Sequence, residues 1–166
     1  MKITRQLQIT QNEFYDYLEK ELLDDIQQCT KKNYTQKDIK KGMKYSKYIQ
    51  DAHARVDITI QKYKRGEIYE TKIKTFSDSI IISYHTSQNE NGLTIVFQEH
   101  IHSFESQKRN LINKTFHEIV YLRRMNETLY DIETQIIKQR QGIQNKKTHA
   151  LPEHKLLYQL FLKNKI

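Results

Sequence analysis

The order of its predicted elements is the strongest constraint that this sequence places on its fold. An alternating strand at residues 2–10 precedes a capped amphipathic helix, a run of short alternating strands, and a long helix near residues 113–141. Strand, helix, meander and helix in this order favour a curved antiparallel sheet that packs on a helix. We therefore expect an α+β fold with five or six antiparallel strands.

The first strand is marked by strict alternation of apolar and polar residues. Ile3, Arg5, Leu7 and Ile9 share one face, and polar side chains occupy the other. Such alternation is typical of a strand with one buried face. Arg5 is the exception, since it places a charge in an otherwise apolar row.

The first helix has a capping box at its start. Thr10 and Glu13 are spaced so that each side chain can accept a hydrogen bond from the backbone N–H of the other. A second box of this kind, Thr35 to Asp38, predicts a short helix that ends at Gly42. The apolar stripe of the first helix comprises Phe14, Leu18, Leu22, Ile26 and Cys29.

Period-two alternation also predicts the strands of the meander. A hairpin turn at residues 64–67 and a longer hairpin loop at residues 87–92 separate some of them. In the last strand, Glu99 shares a face with Phe97 and Ile101, so it is a second charge in an apolar row. The strands cover residues 43–49, 54–61, 68–76, 80–85 and 93–101.

The long helix carries an apolar seam and ends at Gly142. Its spacing of three and four residues favours packing on the sheet, with a coiled coil as the alternative. The seam comprises Leu122, Met125, Leu129, Ile132 and Ile136. The predicted core comprises Leu18, Leu22, Ile58, Ile95, Phe97, Leu129 and Ile132.

The charge pattern divides the chain into a domain at residues 1–141 and a basic tail at 142–166. The net charge of +8 is concentrated in residues 31–50 and 138–166, each of which carries +6. Such segments are either solvated lysines or a surface for nucleic acid or another polyanion. The candidate polyanion contacts are Lys40, Lys41, Lys44, Lys47, Lys146 and Lys147.

The tail also contains a short amphipathic segment. Leu156, Leu160 and Phe161 form an apolar patch that requires a partner. That partner is either the same domain, another protein or a second copy, so the tail is a candidate docking element and a route to a homo-oligomer. We expect the tail to contribute little to the fold of residues 1–141.

Several classes of function find no support in the sequence. There is no run of 18 apolar residues and no apolar signal segment, and the single Cys29 suits a reducing cytoplasm. His100 and His102 alternate on one strand, but no third ligand accompanies them, so we interpret them as exposed residues rather than a zinc site. No catalytic constellation or Gly-rich phosphate loop is present, so an enzyme is the least supported class of function, and we predict no cofactor.

Four short stretches resemble a family of bacterial proteins known mainly from Firmicutes, domain of unknown function 3284. They are Met1-Lys2-Ile3-Thr4-Arg5, residues 13–18, Gly42-Met43-Lys44-Tyr45 and Ile82-Ser83-Tyr84, and the resemblance covers about residues 1–105. The family has no established activity. Its order of elements is similar to the helix-grip fold of the START and birch-pollen-allergen superfamily, which often encloses an apolar ligand cavity.

This resemblance implies a role for Arg5 and Glu99, the two charged residues in otherwise apolar strand faces. In a helix-grip sheet the first and last strands are neighbours, so Arg5 and Glu99 would both point inward and lie near each other. A buried charge needs a partner, which would be the other residue or a ligand. The alternative is that the strand ends turn both side chains into solvent. We therefore expect a non-catalytic protein that binds a small, partly apolar molecule, with Arg5, Glu99, Tyr84 and Phe97 lining the cavity.

Overall fold

The computed structural model describes residues 1–49, 54–103 and 111–142, and these residues form six strands and two long helices. All strand pairs are antiparallel, in the spatial order β1-β6-β5-β4-β3-β2. The predicted α+β architecture is confirmed. The elements are β1 (Lys2–Leu7), α1 (Gln11–Thr30), β2 (Lys44–Ile49), β3 (Ala54–Lys64), β4 (Ile68–Lys74), β5 (Ser79–Asn89), β6 (Gly92–Ile101) and α2 (Leu111–Arg140).

The predicted capping box starts α1. The Thr10 hydroxyl accepts the Glu13 N–H at 3.2 Å, and the Glu13 carboxylate accepts the Thr10 N–H at 2.7 Å. Two backbone N–H groups at the start of the helix, which have no partner within the helix, are thus hydrogen-bonded. The helix ends where Lys31 takes a left-handed conformation with φ of 61°.

Gly42 has a different role from the one that its position suggested. The short helix ends earlier, as a 3-10 turn at Gln36–Asp38. Gly42, with φ of +87°, donates its N–H to Ile60 O at 2.8 Å, and Ile60 N–H returns a bond to Met43 O at 2.9 Å. Two residues thus oppose one, which is a β-bulge with glycine in its left-handed position. The bulge joins the start of β2 to β3.

The connection between β5 and β6 is shorter than predicted. Both strands continue through the polar stretch, which leaves a tight turn at Glu90 and Asn91 instead of a six-residue loop. Polar side chains pair across these strand ends, for example Asn89 Nδ2 with Thr94 Oγ1 at 3.3 Å. Polarity therefore marked an exposed hairpin end here rather than a break in the ladder.

The core lies between the inner face of the sheet and the two helices. Leu22, Ile58, Ile95, Phe97 and Leu129 are each no more than 2% exposed, as predicted. The other two predicted members, Leu18 and Ile132, are half-buried and pack against this core. Their positions at the margin of the helix stripes explain the difference.

The apolar seam of α2 is confirmed except at its first position. Met125, Leu129 and Ile136 are buried, whereas Leu122 is 37% exposed. In that turn the inward positions are occupied by Tyr121 and Arg124, both half-buried. Leu122 is turned outward because this turn of the helix supplies a charged partner to the sheet instead of another apolar contact.

Gly142, with φ of +67°, follows the end of α2, and its N–H bonds to Gln139 O at 3.1 Å. Residues 143–166 lie outside the described residues. The predictions on the tail, including those for Lys146 and Lys147, therefore stay predictions.

Candidate functional site

Glu99 lies on the inner face of the sheet, as the alternation of β6 predicted. The ladder places it in a cross-strand row with Ile60, Thr71 and Ile82. Its side chain is 3% exposed, so the carboxylate is held away from water. Burying a carboxylate among apolar neighbours is unfavourable without a charged or hydrogen-bonding partner.

The partner of Glu99 comes from α2. Arg124 Nη2 donates to Glu99 Oε2 at 2.7 Å, and the guanidinium lies 4.5 Å from the centre of the Tyr121 ring. Arg124 itself is largely buried, with 12% of its side chain exposed. Its second nitrogen, Nη1, is buried and has no hydrogen-bond partner within the described residues. The pair therefore balances its charges but leaves the Nη1 amino group of Arg124 unsatisfied.

Burial has a large effect on the acid–base groups here. It raises the pKa of the Glu99 carboxyl, although the Arg124 guanidinium and the chain's first ammonium group oppose the rise. That ammonium donates to the Glu99 carbonyl oxygen at 2.6 Å. Burial, together with the nearby charge of Glu99, also raises the pKa of Tyr84, which therefore remains a neutral phenol.

Aromatic rings form the floor beside the ion pair. Tyr84 and Phe97 stand opposite each other on β5 and β6, stacked with ring centres 4.7 Å apart. Phe14 of α1 meets the Tyr84 ring edge-on at 5.7 Å. Phe97 has no exposed surface, and Tyr84 has 2%. The floor is therefore filled by side chains, and a molecule that enters must displace some of them.

Arg5 does not join Glu99, so the expectation that the two would be partners is wrong. Arg5 stands opposite Ile95, four residues from Glu99 along β6, which is about 13 Å at the usual rise of a strand. Its guanidinium instead donates to Asn126 Oδ1 at 2.7 Å and lies 5.7 Å from the Tyr130 ring. The face was predicted correctly, but the register that separates the two residues was not.

A second buried carboxylate, Glu19, ties α1 to the β3–β4 hairpin. Glu19 Oε1 accepts from the Tyr63 hydroxyl and lies 2.5 Å from Arg65 Nη1. Arg65 also pairs with Asp16 at 2.7 Å. Glu19 Oε2 is buried without a partner in the described part of the chain.

The candidate polyanion contacts differ in how exposed they are to solvent. Lys40, Lys41 and Lys44 are exposed. Lys47 is 12% exposed, because its Nζ pairs with Asp25 Oδ1 at 2.8 Å, and Asp25 also accepts from the Tyr45 hydroxyl at 2.7 Å. Lys47 therefore belongs to a structural ion pair and is not available to a polyanion as the other three are.

The remaining features are weaker candidates for a functional site. A depression of about 510 Å³ lies against the later turns of α1 and is lined in part by Lys20, Asp24 and Tyr34, none of them a predicted site residue. His100 and His102 are both exposed. Within residues 1–49, 54–103 and 111–142, no three metal-binding side chains come together. No helix in these ranges is long and apolar enough to cross a membrane.

Arg124 and Tyr121 are the site residues that sequence reasoning missed. Both lie next to the apolar seam of α2, and Arg124 precedes Met125 directly. A basic residue at the margin of such a seam could have been matched with the unexplained Glu99. The pattern gives no means of choosing it over Arg123, which is 81% exposed and pairs with Glu127.

Solved structures share the fold at low sequence identity. Ara h 8.0201 matches with a TM-score of 0.55 at 8% identity, over 83% of this chain and 97% of that one. SA2116 from Staphylococcus aureus, a protein of unknown function, matches with 0.55 at 13% identity, over 86% and 94%. DynU16, from the dynemicin biosynthetic locus, is covered over only 42% of its length, from 74% of this chain, with 8% identity and a TM-score of 0.47.

The comparisons fix the family and the fold. The six-stranded sheet with its C-terminal helix is the helix-grip fold of the START and birch-pollen-allergen type. No curated protein matches the sequence. The family model described as Domain of unknown function (DUF3284) matches residues 1–121, and the chain belongs to that family.

Proposed function

We propose that this protein binds a small, partly apolar molecule between the inner face of the sheet and α2. The observation that carries the proposal is the buried pair of Glu99 and Arg124, whose Arg124 Nη1 has no partner among the described residues. An unsatisfied buried N–H is unfavourable by about 1–3 kcal/mol. A ligand oxygen that accepts from Nη1 removes this penalty.

The charges around Nη1 indicate the class of ligand. Glu99 already balances Arg124, so an added carboxylate would meet a negative neighbour. A neutral carbonyl or hydroxyl oxygen satisfies Nη1 without this repulsion. The apolar part of the ligand would lie against Tyr84, Phe97 and Tyr121. The helix-grip fold commonly binds ligands, but a shared fold by itself does not establish function.

Uptake requires side chains to move, because Tyr84, Phe97 and Glu99 are enclosed. Tyr121 and Arg124 are less deeply buried than these three residues and belong to α2. We infer that the ligand displaces the Tyr121 ring and keeps Arg124 in place through its pair with Glu99. Arg5, four residues away on the ladder, would contact only a longer ligand.

A thermal-shift screen tests the proposal, since a ligand that binds only the folded state raises apparent stability. The screen uses neutral lipids, aromatic ketones and phenols, each with an analogue that lacks the oxygen. We expect a rise in melting temperature for the oxygen-bearing member of a pair, which Arg124→Met abolishes and Glu99→Gln weakens. Arg123→Met is the matched control, because Arg123 is the exposed neighbour on the same helix.

The proposal fails if no compound raises the melting temperature. It also fails if the rise is the same in Arg124→Met as in Arg123→Met, since the ligand would then bind elsewhere. The shift on ligand addition is compared within each variant, so that a variant's own lower stability does not enter the comparison.

A further inference from the structure

β2 is an edge strand, and no other strand lies beside its outer side within the described part of the chain. The sheet order ends β4-β3-β2, and β2 pairs with β3 alone. A strand in this position presents unpaired backbone N–H and C=O groups that can pair with another chain.

The Gly42 bulge sets the phase of the β2 ladder. Ile60 N–H bonds to Met43 O, so every second residue from Met43 directs its backbone toward β3. Lys44, Ser46 and Tyr48 stand between those positions and direct their N–H and C=O groups outward. None of these three residues has a backbone hydrogen-bond partner in the described ranges. Three residues in register are therefore available for strand addition.

The segment that forms β2 carries only positive charges. Residues 39–49 contain four lysines and no acidic residue. Lys47 is neutralised by Asp25, whereas Lys40, Lys41 and Lys44 are exposed. On β3, Arg55 opposite Tyr48 is paired with Asp57 at 3.4 Å, so the positive charge of this edge comes from the three exposed lysines.

The positive charge of the β2 edge disfavours two candidate partners, because both are themselves basic. A second copy of β2 would bring the lysines of one edge against those of the other, and opposed like charges destabilise strand pairing. Residues 143–166 carry five lysines and one glutamate, so the tail of the same chain is unfavourable for the same reason. The lysines thus exclude self-pairing and leave an acidic strand as the complementary occupant.

We propose that β2 binds an extended acidic peptide segment of a partner protein as a seventh strand. The outward backbone groups of Lys44, Ser46 and Tyr48 supply the hydrogen bonds. An Asp or Glu of the peptide stands beside Lys44, and an apolar or aromatic residue further along packs on Tyr48, which is 61% exposed. This docking surface is separate from the Glu99–Arg124 site, so each proposal is tested without the other.

The test measures the full chain against a fluorescent peptide of about ten residues in which Glu alternates with Val or Thr. We expect saturable binding by anisotropy. The same peptide with N-methyl groups on alternate backbone nitrogens, facing β2, should not bind, because it keeps the charge but cannot pair with the strand.

Two matched variants locate the binding. Lys44→Glu reverses a charge on the open edge, and Lys2→Glu makes the same change on β1, the edge strand that α2 accompanies; both lysines are exposed. We expect Lys44→Glu to weaken peptide binding by about tenfold or more, and Lys2→Glu to change it by less than about twofold.

Five results would overturn the proposal. The first three are no saturable binding, equal binding of the N-methylated peptide, and an equal effect of the two variants. The fourth is binding of a single-stranded DNA oligonucleotide in preference to the peptide with both variants weakening it alike, which would make the basic surface a polyanion site. Self-association abolished by Lys44→Glu would identify a second copy as the occupant and would equally reject the acidic partner.

Discussion

The two edges of this sheet are completed in different ways. Beside β1, α2 runs along the strand and bonds to it: Asn126 accepts from Arg5, and the Glu133 carboxylate accepts the Gln8 N–H at 2.5 Å. Beside β2, Asp25 of α1 accepts hydrogen bonds from Tyr45 and Lys47, but no strand pairs with the outer side of β2 in the described residues, and exposed lysines lie along it.

The difference separates stability from recognition. Where a helix covers the edge, its side chains complete the core, and one of them, Arg124, pairs with the buried Glu99. Changes there should lower the free energy of unfolding. Where exposed lysines lie along the outer side of β2, changes to those lysines should leave the fold intact and alter what the strand binds.

The largest effect is expected for Arg124→Met, because it leaves Glu99 buried without its counter-charge. We expect a loss of about 3–5 kcal/mol in the free energy of unfolding at neutral pH. Glu99 already has a raised pKa, so the folded state holds its proton more strongly than the unfolded state. The loss should therefore shrink as pH falls and the folded carboxyl becomes protonated.

Urea unfolding of Arg124→Met across about pH 5 to 8 measures this dependence. The double variant Glu99→Gln/Arg124→Met should recover much of the loss, since it removes the buried charge as well. A loss that does not vary with pH, or a double variant no better than the single one, would show that Glu99 is not the source of the penalty.

Next in size is Leu129→Ala, which tests whether α2 closes the sheet by apolar packing. Leu129 has no exposed surface, and we expect a loss of about 2–5 kcal/mol by urea unfolding. Leu122→Ala makes the same change about two turns earlier, at a position 37% exposed, and should lose less than about 1 kcal/mol. Equal losses would mean that the helix is seated on a different face.

The strands and the first helix could be predicted because their signals are local. Alternation in β1 and β6 placed both Arg5 and Glu99 on the inner face correctly, and the spacing of Thr10 and Glu13 gave the capping box. Each of these features depends on residues within a few positions of one another, so the sequence is sufficient to recognise them.

The partners of the charges could not be predicted because they depend on register and on the rotation of a distant helix. One strand's register relative to another decides that Arg5 faces Ile95 and not Glu99. A turn of α2 decides that Arg124, and not Arg123, enters the core. Both contacts are set by tertiary packing between segments more than 20 residues apart, which a local sequence pattern does not encode.

At the β2 edge, Lys47 and Lys44 test whether this edge contributes to stability as the β1 edge does. Lys47→Met leaves Asp25, buried and bonded to Tyr45, without its ion pair, and should lose about 1–3 kcal/mol. Lys44→Met should stay within about 0.5 kcal/mol of the parent, because Lys44 is exposed. Thermal and urea unfolding compare the two; a similar loss in both would mean that the β2 edge contributes to stability as the β1 edge does.

The smallest effect is expected for Glu13→Ala, which removes the ion pair between the last turn of α2 and the start of α1. Arg140 binds the Glu13 carboxylate through Nε at 2.8 Å and Nη2 at 2.7 Å, while Glu13 also closes the α1 capping box. Loss of the cap and of a partly exposed ion pair should lower the free energy of unfolding by about 1 kcal/mol. Glu127→Ala, which breaks an exposed pair within α2, is the control and should have less effect.

The pH dependence of Glu13→Ala identifies the interaction. The Arg140 guanidinium and the Thr10 N–H lower the pKa of Glu13 to about 2. The folded carboxylate therefore stabilises the protein above its ordinary pKa of about 4.5, and this contribution is lost as pH falls from about 4.5 to about 2. The gap in stability between parent and Glu13→Ala should narrow across that window. A gap that stays constant there would mean that the carboxylate's charge, and with it the contact to Arg140, contributes nothing to closing the β1 edge.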